Sequence, residues 1–368
     1  MSSFNPTELA NVGVRQLKPY QAGKPIEELE RELGLTNIVK LASNENPLGI
    51  SDKVKAALRE HIDDLARYPD ANGFYLKEKL AQQLGVQMNQ ITLGNGSNDV
   101  LEILARTFVS AEHEVMFSQH AFVVYPLVTQ AIGAKPVAVP ARDYGHDLDA
   151  MLAAITARTK MIFIANPNNP TGTFLSATEL YEFVKAVPEN IIVVLDEAYY
   201  EYVPTELRAA SVAWLAEFPN LVVSRTFSKA YGLAGLRAGY AVTSAAIADL
   251  LNRIRQPFNM NSLSLAAAIA VLDDQDYLQQ SIAVNDAGMA QLIGFCQQHK
   301  LPFIPSRGNF LTIEVGPTAA DIYQALLQRG VIVRPVAGYE LPNHLRVSIG
   351  LPHENQAFID AMKDILSN

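Results

Sequence analysis

Cysteine is almost absent from this 368-residue chain, which contains only Cys296. A single thiol excludes an internal disulfide framework and a metal site built on several cysteines. Long hydrophobic runs are also missing, because the longest, residues 265–272, is far shorter than the ~20 apolar residues of a membrane helix. The start of the chain (MSSFNP) lacks the charged and apolar regions of an export signal. We therefore expect a cytoplasmic protein with no membrane partner.

Positive charge is in deficit as well. Lys and Arg total 29 against 38 Asp and Glu, which gives a formal net charge of −9. Such a chain has no basic field to attract a phosphate backbone, so we expect no nucleic-acid partner. An anionic ligand would need cations placed locally. The seven histidines show no HExxH pattern or other close ligand spacing, so we expect no metal site.

What the chain does contain is a recurring unit of a short apolar run, a turn and a segment of helical length. Most of the runs lack alternation of apolar and polar residues, which is typical of strands buried on both faces. Strands separated by helices predict an α/β protein with a mostly parallel sheet. We predict strands at residues 91–93, 115–117, 161–164, 191–195 and 221–223, and helices at residues 98–108, 176–187 and 245–256.

The alternation of predicted strands and helices changes after about residue 259. Two helical stretches there precede shorter strands and a closing helix, which predicts a smaller C-terminal lobe. The first ~40 residues are rich in proline and glycine and resemble an arm more than a domain. The expected division is residues 1–40 as an N-terminal arm contributing to the small lobe, 41–258 as the large domain and 259–368 as the small domain. The strands predicted in the last part are residues 310–315, 331–333 and 345–349, with helices at 262–272, 277–300 and 353–366.

Four polar segments fall at predicted strand ends, where open α/β sheets bind ligands. Taken singly, each has an ordinary explanation: a turn, a structural ion pair, a solvated lysine, or a glycine-rich loop. Arg237, in the last segment, offers a planar fork for phosphate, and the glycines around it allow close backbone approach. The segments are residues 166–172 (NPNNPTG), 196–199 (DEAY), 224–229 (SRTFSK) and 232–239 (GLAGLRAG).

The succession of these segments resembles the aspartate-aminotransferase-like, fold-type I pyridoxal-phosphate enzymes over nearly the whole chain. Within that superfamily the sequence is most similar to the histidinol-phosphate aminotransferase family. The resemblance implies a three-layer, fold-type I PLP-dependent transferase with a mostly parallel central sheet, a smaller α+β lobe and pyridoxal 5'-phosphate as cofactor. The additional supporting segments are Pro19 and Tyr20 with Gly23, residues 41–47 (LASNENP), 67–70 (RYPD) and 345–350 (LRVSIG).

The resemblance also implies roles around the cofactor ring. Lys229 would form an imine with the cofactor aldehyde and later move the proton at the substrate α-carbon. Asp196 would keep the ring nitrogen protonated, which the ring needs as an electron sink. Asn169 and Tyr199 would donate to the phenolic oxygen. Phe122 would stack on the ring, although without the resemblance a core aromatic is the simpler interpretation.

The cofactor phosphate needs hydrogen-bond donors and positive charge. Residues 94–98 (GNGSN) lie between a predicted strand and a helix, so their backbone N–H groups would point at an anion. In the family, the tyrosine that matches Tyr68 reaches the phosphate in the neighbouring subunit, which implies a homodimer with a shared active site. The other residues that the resemblance assigns to the phosphate are Gly96, Ser97, Asn98, Thr226, Ser228 and Arg237.

The substrate expected from the resemblance is a phosphate ester. A phosphate carries up to two negative charges and three acceptor oxygens, so a second cation is useful beside Arg346. Arg334 ends a neighbouring predicted strand and would supply it, with Tyr20 adding a hydroxyl and Asn44 and Asn169 completing the set. The implied reaction converts imidazole-acetol phosphate and L-glutamate to L-histidinol phosphate and 2-oxoglutarate in histidine biosynthesis.

Several rivals stay open on sequence alone. Within pyridoxal chemistry they are an aromatic amino-acid aminotransferase and a threonine-phosphate decarboxylase. A nicotinamide dehydrogenase is suggested by residues 94–99, but Asp99 stands where the third glycine of that fingerprint belongs. A metal hydrolase is unsupported, because the histidines of this sequence lack metal-ligand spacing. A non-catalytic module would require a degenerate constellation, whereas each expected position holds a competent residue type.

Overall fold

The computed structural model describes residues 4–20 and 23–367. The strands predicted from the sequence are all present, although several are longer than expected. In the described ranges the strands are β1 (Val39–Lys40), β2 (Ile91–Gly94), β3 (Glu114–Ser118), β4 (Lys135–Val139), β5 (Thr159–Ala165), β6 (Ile192–Asp196), β7 (Leu221–Thr226), β8 (Gly239–Thr243), β9 (Phe303–Ile304), β10 (Phe310–Glu314), β11 (Val331–Ile332), β12 (Arg334–Pro335) and β13 (His344–Ser348).

The helices surround these strands. None of them, within the part of the chain that the structure describes, combines the length and apolar composition that a membrane crossing requires. They are α1 (Pro6–Leu9), α2 (Ile26–Leu33), α3 (Asp52–His61), α4 (Phe74–Leu84), α5 (Ser97–Phe108), α6 (Val124–Ile132), α7 (Leu148–Ala153), α8 (Ala177–Ala186), α9 (Ala245–Ile254), α10 (Ser262–Leu272), α11 (Gln275–Gln298), α12 (Ala319–Gln328) and α13 (Pro352–Ser367).

A seven-stranded sheet in the order β2-β8-β7-β6-β5-β3-β4 forms the centre of the large lobe. Strands β4, β3, β5, β6 and β7, neighbours in this order, pair in parallel. β8 pairs antiparallel with both β7 and β2. This arrangement confirms the predicted α/β fold with a mostly parallel sheet. It also brings the carboxyl ends of β5, β6 and β7 together at one edge.

Both faces of this sheet are buried, which explains why its strands lack alternation. In β6, Val193 and Leu195 belong to one hydrophobic cluster, whereas Ile192 and Val194 belong to another on the opposite face. Successive side chains of a strand point to opposite faces, so both sets must be apolar. The sheet is thus the middle layer of three, as expected from the sequence.

A second, antiparallel sheet in the order β12-β13-β10-β9 builds the small lobe. The N-terminal arm joins this lobe: Leu29 of α2 packs with Ala42, Leu327 and Ile332, and β1 pairs with β11. Helix α10, which follows residue 259, packs instead with the large-lobe cluster, and that cluster extends to Tyr277. The division of the chain at residues 40 and 258 stays a prediction.

Candidate active site

The residues expected at the site converge on one cavity of ≈ 180 Å³ between the two lobes. It lies where β6 and β7 end, and residues of the small lobe close it from the other side. Of the expected residues, Gly96 and Tyr68 lie outside the lining. The others line it: Tyr20, Asn44, Ser97, Asn98, Phe122, Asn169, Asp196, Tyr199, Thr226, Ser228, Lys229, Arg237, Arg334 and Arg346.

Asp196 ends the most apolar strand of the sheet and is almost fully buried. The Tyr125 hydroxyl donates a 2.7 Å hydrogen bond to its Oδ2 atom, while Oδ1 is buried with no partner among the described residues. Burial raises the pKa of Asp196 to about 6, and the Tyr125 hydrogen bond opposes that rise. An unpartnered carboxylate oxygen that faces a cavity fits a ligand that presents a cationic N–H group.

The neighbouring carboxylate has a different task. Glu197 receives hydrogen bonds from Arg225 at 2.8–2.9 Å and from Ser211 at 2.6 Å, all in the buried interior. The structural ion pair that was one interpretation of residues 196–199 therefore exists, but Glu197 makes it. Asp196 remains directed at the cavity.

Lys229 follows β7 and is half-buried. Its Nζ donates to the backbone oxygen of Ser43 at 3.3 Å. Burial, together with the charge of Arg346, lowers the pKa of Lys229 to about 8. Roughly a tenth of the amine is therefore neutral and nucleophilic at pH 7, far more than for an ordinary lysine.

Tyr199 is held by a small buried network. Asn44, whose backbone has a φ of 53°, donates from Nδ2 to the Tyr199 hydroxyl oxygen at 2.9 Å. The Asn44 side chain in turn accepts from the Ser348 hydroxyl at 2.9 Å. Burial raises the pKa of Tyr199 to about 12. The phenol therefore stays protonated and can donate its own hydrogen to a ligand oxygen.

A cradle for an anion forms at the start of α5. A Cβ atom on Gly96 would lie 2.4 Å from Nη2 of Arg237 and would displace that guanidinium, and the φ of 81° at this position favours glycine. A Cβ on Gly239 would lie 2.4 Å from the backbone nitrogen of Ser97. Arg237 also approaches the Ser228 hydroxyl at 3.4 Å. Helix N-terminal N–H groups, hydroxyls and one guanidinium match the chemistry of a phosphate group.

The remaining wall is formed by Phe122 and Asn169. Phe122 packs edge-on against Tyr125, with ring centroids 5.8 Å apart, and Tyr125 stacks on Phe163 at 4.5 Å. Asn169 accepts a hydrogen bond at Oδ1 from Nη1 of Arg346 at 2.5 Å. Among the described residues no partner takes its amide hydrogens, which can therefore serve as the donors expected there.

Two arginines stand side by side on the small lobe. Arg334 and Arg346 are directly paired across β12 and β13, so their side chains leave the same face of the sheet. Arg346 is buried and donates to the backbone oxygen of Ala42 at 2.7 Å, whereas its Nε has no partner within the described ranges. The Arg334 guanidinium lies 5.5 Å from the centre of the Tyr20 ring. Like charges held side by side favour an anionic ligand.

Tyr68 lies outside the cavity of its own chain. Its side chain is 82% exposed and stacks on Phe258 with ring centroids 4.5 Å apart. The structure of a single chain therefore brings Tyr68 to a surface and not to the site. Gly96, the other exception, lies beneath Arg237 and shapes the cradle without lining the cavity.

Two polar lining residues, Tyr125 and Tyr339, belong to no segment that the sequence analysis singled out. Tyr125 lies three positions after Phe122 in a segment that carries no motif, and its partner Asp196 is 71 residues away in the chain. A buried polar side chain in a largely apolar segment is the only signal that pointed to it. Within the described residues, no group of three or more His, Cys, Asp or Glu could hold a metal ion.

The three layers, the parallel strand ends and the lysine–carboxylate cavity define the class of fold-type I transferases. Comparison with known proteins identifies the family within this class. The family model for aminotransferase class I and II matches residues 36–361. The histidinol-phosphate aminotransferase 1 of Idiomarina loihiensis is 71% identical over 99% of this chain and 100% of its own length. The histidinol-phosphate aminotransferase 2 of Pasteurella multocida is 60% identical over 97% and 98% of the two chains.

A solved structure agrees with these sequence relatives. The histidinol-phosphate aminotransferase from Sinorhizobium meliloti, crystallised in complex with pyridoxal-5'-phosphate, superposes with a TM-score of 0.90 at 30% identity. The match covers 100% of this chain and 98% of that one. This chain belongs to the aminotransferase class I and II family and, within it, to the histidinol-phosphate aminotransferases. The family resemblance identified from the sequence is thereby confirmed.

Proposed function

We propose that this chain catalyses the PLP-dependent transamination of imidazole-acetol phosphate with L-glutamate, giving L-histidinol phosphate and 2-oxoglutarate in histidine biosynthesis. The observation that carries the proposal is the convergence of the Lys229 amine, the Asp196 carboxylate and the paired Arg334 and Arg346 on one cavity. Relatives named for this activity at 71% and 60% identity support it.

The residues present fit pyridoxal phosphate. The unpartnered Oδ1 of Asp196 matches a protonated ring nitrogen, and the cradle between Gly96 and Arg237 matches the phosphate. When bound, the cofactor supplies an aldehyde for the amino group and an aromatic ring that withdraws electrons from the substrate α-carbon. Asp196 holds the proton on the ring nitrogen, because ionisation of the buried carboxylate is favoured once a cation lies beside it.

Lys229 would do the proton transfer. Its lowered pKa, about 8, provides a neutral amine that binds the cofactor aldehyde. The same nitrogen, when free, would hold and move the proton at the substrate α-carbon. Tyr199, fixed by Asn44, and the amide of Asn169 would donate to the phenolic oxygen. Both half-reactions share the site, so Arg346 and Arg334 would hold the carboxylate of glutamate as well as the phosphate.

The decisive experiment compares amino donors with purified, cofactor-loaded protein. We expect L-histidinol phosphate and 2-oxoglutarate to yield glutamate, with kcat/KM well above that for L-phenylalanine. The Lys229→Ala variant should lose turnover and the covalent label left by borohydride. A preference for phenylalanine, or release of carbon dioxide from threonine phosphate, would replace the proposal by one of its rivals.

We also propose a homodimer that shares its active sites. Tyr68, the residue expected to reach the partner subunit, lies in a stretch of the chain (residues 62–75) with other exposed apolar side chains, and exposed apolar side chains are typical of an interface. They are Ile62 (56% exposed), Leu65 (49%), Phe74 (49%) and Tyr75 (71%). The cytoplasmic location expected from the sequence stays a prediction, which fractionation of expressing cells tests.

Mixing two inactive variants tests the shared site. Tyr68→Ala removes the side chain proposed to cross the interface, and Lys229→Ala removes the amine. In a mixed dimer, one site would combine an intact Lys229 with an intact Tyr68, so co-expression should restore roughly a quarter of wild-type activity. Each variant alone is the control. Activity no higher than that of the separate variants would mean that each chain uses its own Tyr68 or none.

A further inference from the structure

Tyr339 lies at the boundary between two cavities. It lines the inner cavity of ≈ 180 Å³ and also an outer cleft of ≈ 970 Å³ between the N-terminal arm and both lobes. Only three other described residues line both spaces, namely Tyr20, Gly23 and Arg334. A substrate that enters through this cleft passes these four residues, which we call the neck.

The loop that carries Tyr339 is fastened to the large lobe. His120 donates from Nδ1 to the backbone oxygen of Tyr339 at 2.7 Å, and Gln119 donates to the carboxylate of Glu340. The Tyr339 backbone nitrogen donates to Val336 at 2.9 Å. His120 and Gln119 belong to the segment just before Phe122, so the loop that carries Tyr339 is tied to the wall of the cofactor cavity.

The charges around Tyr339 suit an anion. Burial raises the pKa of Tyr339 above its ordinary value, and the charges of Arg346 and Arg334 oppose that rise. The phenol therefore remains a donor at neutral pH. Arg346 already uses Nη1 on Asn169 and Nη2 on Ala42. A ligand with many acceptor oxygens consequently needs donors from elsewhere in the neck.

We propose that Tyr339 is a specificity-determining residue whose phenol donates a hydrogen bond to the phosphate of the substrate and so favours a phosphate ester over a carboxylate. A carboxylate offers two oxygens, which the remaining N–H groups of Arg346 can satisfy. A phosphate offers three oxygens and up to two charges, so it gains more from the added donor. The inference rests on the proposed function, because it assigns part of that substrate to the neck.

The test uses Tyr339→Phe in the cofactor-loaded enzyme, with Tyr181→Phe as the matched control. The Tyr181 hydroxyl bonds Glu217 on the surface, away from the neck. We expect Tyr339→Phe to raise KM for L-histidinol phosphate about tenfold to a hundredfold, as for loss of a hydrogen bond to a charged group. The inhibition constant of inorganic phosphate should rise by the same factor. KM for glutamate should change by less than about threefold, since its carboxylate does not depend on the phenol.

Two results would overturn the inference. One is an equal rise of KM for glutamate and L-histidinol phosphate, which would mark a general structural role. The other is unchanged KM and phosphate inhibition. If the wild-type enzyme does not turn over L-histidinol phosphate, the proposed function fails instead, and phosphate inhibition with the preferred donor still decides whether Tyr339 binds phosphate.

Discussion

Replacing Tyr125 by phenylalanine removes one hydroxyl and leaves the rest of its packing in place. The ring would still stack on Phe163 at 4.5 Å and still face Phe122. What disappears is the 2.7 Å hydrogen bond to Oδ2 of Asp196. Because Oδ1 has no partner in the described chain, the variant leaves the buried carboxyl of the apoprotein without its side-chain donor.

The size of the effect depends on the charge of Asp196. A hydrogen bond to a charged group contributes about 1.5–3 kcal/mol, and one between neutral groups about 1 kcal/mol. The difference raises the pKa of Asp196 by roughly one unit from its value of about 6. Burial has already raised this pKa above its ordinary value, so ionisation destabilises the folded apoprotein as pH rises. In the variant this destabilisation is larger and extends to higher pH.

Thermal unfolding of the apoprotein between pH 5 and pH 8 measures the effect. We expect Tyr125→Phe to unfold roughly 1 °C below wild type at pH 5 and roughly 3 °C below it at pH 8, from the unfolding entropy of a chain this size. Tyr202→Phe is the matched control, because Tyr202 is also buried but its phenol contacts Ser281 and not Asp196. Its difference from wild type should not vary with pH.

The result that would refute this reasoning is a Tyr125→Phe difference that stays constant from pH 5 to pH 8. That outcome would mean that the phenol only packs and does not stabilise the charge on Asp196. A second readout is the affinity for pyridoxal phosphate, which should fall in the variant, since Asp196 is then less often ionised before the cofactor binds.

Two further predictions concern the anion sites. Gly96→Ala should weaken pyridoxal-phosphate binding by about tenfold or more, because the new Cβ would meet Arg237 at 2.4 Å in a backbone conformation that favours glycine. Titration of the apoprotein with pyridoxal phosphate measures this affinity. Gly235→Ala is the control, since no heavy atom of the described chain lies within 4 Å of its added Cβ. Arg334→Met should raise KM for L-histidinol phosphate about tenfold or more with little change in melting temperature. The control is Arg329→Met, at the exposed residue directly after α12, which should alter neither quantity. Equal effects of the two substitutions would show that Arg334 does not bind the substrate.

The sequence was most informative about the sheet centre. Strands β5, β6 and β7 were predictable because burial on both faces leaves continuous apolar runs. β4 was not, because it is an edge strand with a proline at its second position and partly exposed side chains. β8 was missed for another reason: it begins with glycine and follows a glycine-rich segment that had been interpreted as a phosphate loop. Packing, not local pattern, makes it a strand.

The candidate site shows a similar limit. The order of Asn169, Asp196 and Lys229 along the chain was enough to predict that they meet, since parallel strands bring their carboxyl ends to one edge. Tyr125 could not be found this way, because it reaches the cavity from α6, whose position depends on packing against the large sheet. Tyr339 could not be found either, because its loop is held by contacts between the lobes. No pattern of spacing encodes such contacts.

The neighbouring carboxylates at the end of β6 have a consequence for how the site tolerates change. Asp196 turns to the cavity and Glu197 to Arg225, because consecutive residues of an extended chain alternate in direction. A one-residue deletion within β6 would place Glu197 in the position of Asp196, so the longer acid would face the cofactor, and it would move Asp196 to the position of Leu195 in the apolar cluster. Insertions in the flanking loops have no such effect. Which of the two carboxylates faces the cofactor is thus set by the alternating direction of side chains along β6.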